Sequence, residues 1–149
     1  MREIKFRSWH TEDKVMLQVG DKYGTTNLLD CCVYFMQGQP VELMQYTGLK
    51  DKNGKDIYEG DILVVEDTYK DRILDDGSGP TEPANHLTPV VFQDGSFGVD
   101  IKERGEDFDK GFWSFIGIQD QIGMALVEVI GNIYENPELV SIAEGETKR

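Results

Sequence analysis

Met44-Gln-Tyr-Thr-Gly-Leu-Lys-Asp-Lys-Asn-Gly-Lys-Asp-Ile-Tyr-Glu-Gly-Asp-Ile-Leu-Val-Val65 is the stretch on which the fold of this chain turns. Val41, Leu43 and Gln45 alternate with Glu42, Met44 and Tyr46, so a strand with two distinct faces runs into it. Asn53-Gly54 then predicts a tight type I′ turn, whose two central residues both take positive φ. Glu59-Gly60-Asp61 is a second corner. Its glycine admits a tight backbone, its aspartate accepts from nearby amides, and Ile62-Leu-Val-Val65 follows as a core strand. Gly48, Asp51, Asn53, Gly54, Glu59, Gly60 and Asp61 are therefore read as architecture.

Strand signals extend in both directions. Ile4 to Trp9 alternates apolar with polar residues, His10-Thr-Glu-Asp13 makes a turn, and Val15, Leu17 and Val19 share a face, which predicts a hairpin. Leu28 to Met36 is an apolar run with Cys31 and Cys32 inside it as buried thiols; its length and its β-branched and aromatic content favour a strand, while its periodicity leaves a short helical turn open. Pro89 to Ile101 predicts a further hairpin around Asp94-Gly95, with Val91, Phe97, Val99 and Ile101 on its buried face. Phe112 to Ile118 is aromatic and leaves strand against helix open. Val127, Val129 and Ile133 predict the last strand, and Asn136-Pro137-Glu138 reads as the start of a short helix. Glu66 to Pro89 is acidic, glycine-rich and proline-rich and reads as a mobile surface loop. Lys102 to Lys110 reads as a solvated one.

The fold class expected from this pattern is all-β: a small SH3-like or related barrel with added N-terminal strands and a short C-terminal helix. One domain is expected over residues 1–149, with entry strands in 1–43, a barrel-like body in 44–140 and a polar tail in 141–149. A chain of 149 residues buries roughly 70% of its unfolded surface, enough to fold without disulfide or metal.

Composition narrows the function classes. Fifteen basic against 28 acidic side chains give a formal charge of −13, which opposes direct contact with nucleic acid or anionic membranes. No apolar run reaches membrane-span length and no secretory h-region opens the chain, so a cytoplasmic location is expected. Adjacent Cys31 and Cys32 suit a reducing compartment better than a disulfide.

Chemistry-bearing patterns are sparse. His10 falls in a turn and His86 in the acidic loop, with no activated Ser or Cys beside either. Cys31, Cys32 and two distant histidines lack zinc spacing, and Asp67, Asp71, Asp75 and Asp76 lack the calcium-loop order. No phosphate-cradling glycine motif occurs. No catalytic residue, cofactor or metal is expected. Among aromatic residues, Tyr46 and Tyr58, which flank the turn, and Trp9 are the candidates for contact with a partner.

Three blocks together resemble the YopX family: Met1-Arg-Glu-Ile-Lys-Phe-Arg7 with Trp9, Met44 to Asp61, and Val129-Ile-Gly-Asn-Ile-Tyr-Glu-Asn-Pro-Glu-Leu139. The resemblance runs from Met1 to about Leu139, and Glu66 to Pro89 shows least of it. It implies a small, mostly-β protein encoded by a phage or prophage, and it carries no catalytic residues across. The expected function is a non-enzymatic accessory role through contact with an unidentified protein partner in the host cell. The alternatives are an acidic DNA mimic that titrates a basic DNA-binding protein, and a carboxylate-based enzyme. Open strand edges also make self-association through edge pairing an expectation.

Overall fold

The structure is a computed structural model, and it describes residues 4–18, 37–38, 40–70, 79–121 and 123–143. The expectations for Cys31 to Met36, for Asp71, Asp75 and Asp76, and for residues 144–149 lie outside those residues. The chain is all-β in class, built from small antiparallel sheets with short helices near the C-terminal end. It divides into two compact units: Met1–Leu49 with Asp56–Glu59, and Lys50–Lys55 with Gly60–Arg149.

The first unit holds a four-stranded sheet in the order β2-β1-β3-β4. Its strands are β1 (Phe6–His10), β2 (Val15–Leu17), β3 (Val41–Lys50) and β4 (Asp56–Tyr58). The expected N-terminal hairpin is present, with Trp9 opposite Met16 and Ser8 opposite Leu17. β1 also pairs with β3, setting Arg7 opposite Met44 and Trp9 opposite Glu42. Because side chains alternate across a strand, Arg7, Met44 and Tyr46 share one face. Met44, Tyr46, Ile57 and Tyr58 are buried and form this unit's core with Leu17 and Val41.

The second unit is centred on β5 (Asp61–Val65), which lies between β12 (Val127–Asn132) and β8 (His86–Pro89). Ile62, Leu63 and Val65 of β5 are fully buried, and since adjacent residues point to opposite faces, β5 is covered on both of them. Between β5 and β8 the chain goes out along β6 (Thr68–Lys70) and returns along β7 (Thr81–Pro83), which pair with each other. Ordered strands therefore flank residues 71–78, and the mobile-loop expectation for Glu66 to Pro89 is corrected at both of its ends. The acidic composition hid the inward-facing His86 and Thr88, which alternate with Leu87 on β8.

A second sheet, β11-β10-β9, is formed by β9 (Val91–Gln93), β10 (Ser96–Ile101) and β11 (Gly111–Ser114). The turn between β9 and β10 has Asp94 at φ 53° and Gly95 at φ 80°, both positive as a type I′ turn requires. The aromatic run resolves into both alternatives: β11 ends at Ser114 and α1 (Phe115–Gln121) begins at once. Ser114 decides the switch, because its Oγ accepts the amide of Gly117 at 3.1 Å and caps the helix. A 3-10 turn (Met124–Leu126) leads into β12, and Ile130 is the extra residue of a bulge, since Val129 faces Leu63 while Gly131 faces Ile62. Helix α2 (Pro137–Ala143) starts at the proline, as expected. Asn136 turns back, however: its Oδ1 accepts the amide of Asn132 at 3.1 Å.

Candidate functional site

The predicted contact residues come first. Tyr46 and Tyr58 are 6% and 7% exposed, so their rings face the core of the first unit and present no contact surface. Their centroids lie 5.5 Å apart, with Lys5 Nζ 4.8 Å from the Tyr46 ring and the Arg7 guanidinium 4.6 Å from that of Tyr58. Lys5 also donates to Asp56 at 2.6 Å, and Arg7 Nη2 donates to the Glu59 carbonyl at 3.3 Å. Aromatic rings and cations here cover each other. Burial raises the Tyr58 phenol pKa above its ordinary value, although Lys5 and Arg7 pull it down. Trp9 is partly exposed on β1.

The signature residues behave as architecture. Asp51 is buried, and its carboxylate accepts three amides: Asn53 and Lys55 on Oδ1 and Val129 on Oδ2, each at 2.9 Å. Burial would raise its pKa, but those amides and the nearby Lys55 charge outweigh it and hold the carboxyl below its ordinary value. The Asn53-Gly54 loop departs from the type I′ expectation. Gly54 has φ 81°, whereas Asn53 is not among the positive-φ residues. The physical reason is Asp51, whose side chain takes the amides of residues 53 and 55 and shapes the loop from within. Glu59 closes the other corner, its Oε1 accepting the Gln45 amide at 2.8 Å. Gly48 and Gly60 sit at φ 93° and 84°, and Asp61 begins β5 buried.

The chemically distinctive cluster lies in the second unit and was not expected from the sequence. β6 and β7 lead away from the core sheet and return to it, bringing Asp67, one residue before β6, against His86, the first residue of β8. The amide of Ala84 donates to the Asp67 carbonyl at 3.0 Å and fixes that crossing. His86 Nε2 lies 2.6 Å from Asp67 Oδ2, and both side chains are buried. Asp67 Oδ1 accepts the amides of Thr68 at 2.7 Å and Asp107 at 2.9 Å. Burial pushes the Asp67 carboxyl up; the His86 bond and those amides outweigh it and leave it below the ordinary value. An ionised Asp67 only accepts, so the hydrogen of their bond is donated by His86 Nε2.

The loop from Lys102 to Lys110 wraps this pair, correcting its reading as merely solvated. Gly105 passes so close to Asp67 that a β-carbon there would collide with the carboxylate. Glu106 donates its amide to the Thr68 carbonyl at 2.7 Å. Phe108 is fully buried, its ring edge-on to His86 at 5.8 Å and to Trp113 at 4.9 Å. Two clefts flank the pair. One, of about 460 Å³, is lined by Ala84, Asn85, His86, Glu103 and Arg104. The other, of about 350 Å³, includes Asp67, Asn85 and Asp107 in its lining. The signal that would have found His86 is the period-two run His86-Leu-Thr-Pro89. Asp67, the second of two adjacent acids after a strand, carried none.

His10 is local by comparison: its Nδ1 accepts the Asp13 amide at 3.1 Å at the end of the first hairpin. Among the described residues no group of three or more His, Cys, Asp or Glu is placed to hold a metal ion. No described helix is long and apolar enough to cross a membrane.

Small antiparallel sheets, an Asp-stapled central loop and a buried His–Asp pair define an all-β protein. The chain belongs to the YopX family, whose model, described as YopX protein, matches residues 5–141. It is 29% identical over 87 residues to the SPbeta prophage-derived uncharacterized protein YopX of Bacillus subtilis (strain 168). That match covers 58% of this chain and 52% of the relative, so the chain spans about half the length of the curated relative it matches. It is also similar to the crystal structure of protein EF1440 from Enterococcus faecalis, at 27% identity and a TM-score of 0.54, over 94% of this chain and 99% of that one.

Proposed function

We propose that this protein is a phage or prophage accessory factor that acts by contact with a basic protein partner rather than by catalysis. The observation that carries the reading is Phe92. It stands 61% exposed on edge strand β9, its ring edge-to-face with Phe97 at 5.0 Å, in a chain of net charge −13. A large aromatic side chain in water at a sheet edge, in an acidic chain, suits a partner that brings apolar area and positive charge together. Ile116 on α1 is also well exposed, at 67%, and enlarges the apolar area of the same unit. The carboxylates give less support to an enzyme, because Asp51 and Asp67 already spend both oxygens on internal hydrogen bonds.

The test is affinity capture from lysates of uninfected, lysogenic and infected host cells, comparing the wild-type chain with Phe92→Ser. A basic protein held by the wild type and lost from the variant is the expected result. Capture of nothing above background in all three lysates, or equal capture by the variant, overturns the reading. Light scattering on the free protein separates pairing between copies at the β9 edge from binding to a different protein.

A further inference from the structure

Asn53 is the one asparagine of this chain that glycine follows; Asn27, Asn85, Asn132 and Asn136 precede Leu28, His86, Ile133 and Pro137. The following residue matters because a backbone nitrogen with no β-carbon beside it closes most readily on the side-chain amide before it. Asn53 and Gly54 are both exposed, and nothing lies within 4 Å of where a β-carbon of Gly54 would sit. Water reaches the pair, and no packed group shields it.

The loop nevertheless engages both groups that would react. The Gly54 amide, the nucleophile, donates to the Asp51 carbonyl at 3.0 Å. The Asn53 side-chain amide, the group attacked, donates through Nδ2 to Glu128 Oε2 at 3.2 Å. Asp51 Oδ1 holds the backbone amides of Asn53 and Lys55, so the segment between them is fixed at both ends. Attack on Asn53 therefore waits on local opening, which an exposed loop undergoes more readily than a core strand.

We propose that Asn53-Gly54 is a site of spontaneous deamidation, held in check by the hydrogen bonds of its own loop, and that its conversion irreversibly weakens the Asp51 staple on Val129. Gly54 N gives its proton to solvent and bonds to Asn53 Cγ, the Cγ–Nδ2 bond breaks, and that nitrogen leaves as ammonia. Water then opens the cyclic imide, giving aspartate when it adds at Cγ and isoaspartate when it adds at the main-chain carbonyl. One water is consumed and one ammonia released, with no change in oxidation state. Aspartate puts a carboxylate where the amide donated to Glu128, so like charges replace a hydrogen bond. Isoaspartate adds one atom to the main chain between the two amides on Asp51 Oδ1, and a single oxygen no longer holds both. Asp51 Oδ2, bonded to the Val129 amide at 2.9 Å, shifts with its partner oxygen. The inference is independent of the contact reading above.

The experiment is incubation of the full chain in mildly alkaline buffer, folded and in concentrated urea, with residue 53 followed by peptide mapping and mass spectrometry. Conversion to aspartate and isoaspartate is expected in both, about tenfold slower in the folded chain because two hydrogen bonds must open first. Glu128→Ala alters a partly exposed side chain and leaves the Asp51 bonds in place. It should raise the folded rate about threefold and leave the rate in urea unchanged. Converted protein, separated by anion exchange, should show faster amide exchange at Val129 than fresh protein. Equal rates in the folded chain and in urea, or no product in the folded chain once the urea sample has converted fully, overturns the proposal. So does a folded Glu128→Ala rate equal to that of the wild type. Unchanged Val129 protection in the converted fraction overturns the release of the staple.

Discussion

Asp51 accepts the backbone amide of Val129, 78 residues further along the chain, at 2.9 Å while holding the amides of Asn53 and Lys55 with its other oxygen. One carboxylate thus shapes the Asn53-Gly54 loop and locks it to the strand beside the Ile130 bulge. Asp51→Asn would place an amide group against an N–H on one side, leaving a buried donor unsatisfied. Hydrogen bonds to charged acceptors are worth more than neutral ones, so a loss of about 1–3 kcal/mol is expected. Asp51→Ala should cost at least as much. Urea unfolding monitored by tryptophan fluorescence gives the value. An unchanged midpoint would mean the loop is held by other contacts.

Acid should unfold the protein through the same kind of group. Asp51 and Asp67 both have folded pKa values below the ordinary carboxyl value, in each case because hydrogen bonds outweigh burial. Such a group contributes stability above its unfolded pKa and loses it as pH falls through its lower folded value. Stability should hold near neutrality and decline from below about pH 4. The variant Asp67→Asn should start less stable and decline less steeply over that range. Urea midpoints measured from pH 6 down to pH 2.5 test this, and parallel curves for the two proteins would refute it.

Gly105 and Gly54 separate two reasons for a glycine. At Gly105 a β-carbon would strike the Asp67 carboxylate, so Gly105→Ala must displace Asp67 or the wrapping loop. Forced repacking of this kind costs about 1–3 kcal/mol, and His86 should lose its Nε2–H hydrogen bond to Asp67 in NMR spectra at the same time. At Gly54 nothing lies near a β-carbon, but φ is 81°, a conformation that an L side chain resists. Gly54→Ala should cost about 1–2 kcal/mol and leave the His86 spectrum untouched. A changed His86 signal in Gly54→Ala would contradict that separation.

What could be read from the residues depended on range. β1, β2, β3, β10 and β12 carry period-two patterns or tight-turn residues, which are local signals, and they form where the pattern places them. The Asp94-Gly95 turn is right in detail because only its own two residues set it. Asn53-Gly54 is not, because Asp51 overrides the dipeptide preference with its side chain. Asp67 and His86 were missed for a non-local reason. Their meeting requires the β6–β7 excursion to return to its starting point, and nothing within a few residues of either encodes that return. Tyr46 and Tyr58 were ambiguous from sequence because a tyrosine suits a core or an interface. The cations that cover their rings, Lys5 just before β1 and Arg7 within it, come from far earlier in the chain.

The two exposure extremes among the phenylalanines of the second unit yield opposite predictions. Phe108 is fully buried between His86 and Trp113, and Phe92 is 61% exposed against Phe97. Truncating a buried phenylalanine removes its transfer energy and leaves a cavity, so Phe108→Ala should cost about 3–5 kcal/mol. It should also release the loop from Lys102 to Lys110, seen as faster amide exchange at Asp107, whose N–H is held by Asp67. Phe92→Ala surrenders little buried area and one aromatic edge contact, a loss of about 1 kcal/mol or less. Thermal or urea unfolding of the two variants provides the comparison. A large loss in Phe92→Ala would mean that its ring supports β9 itself, and the case for Phe92 as a partner-facing residue would weaken accordingly.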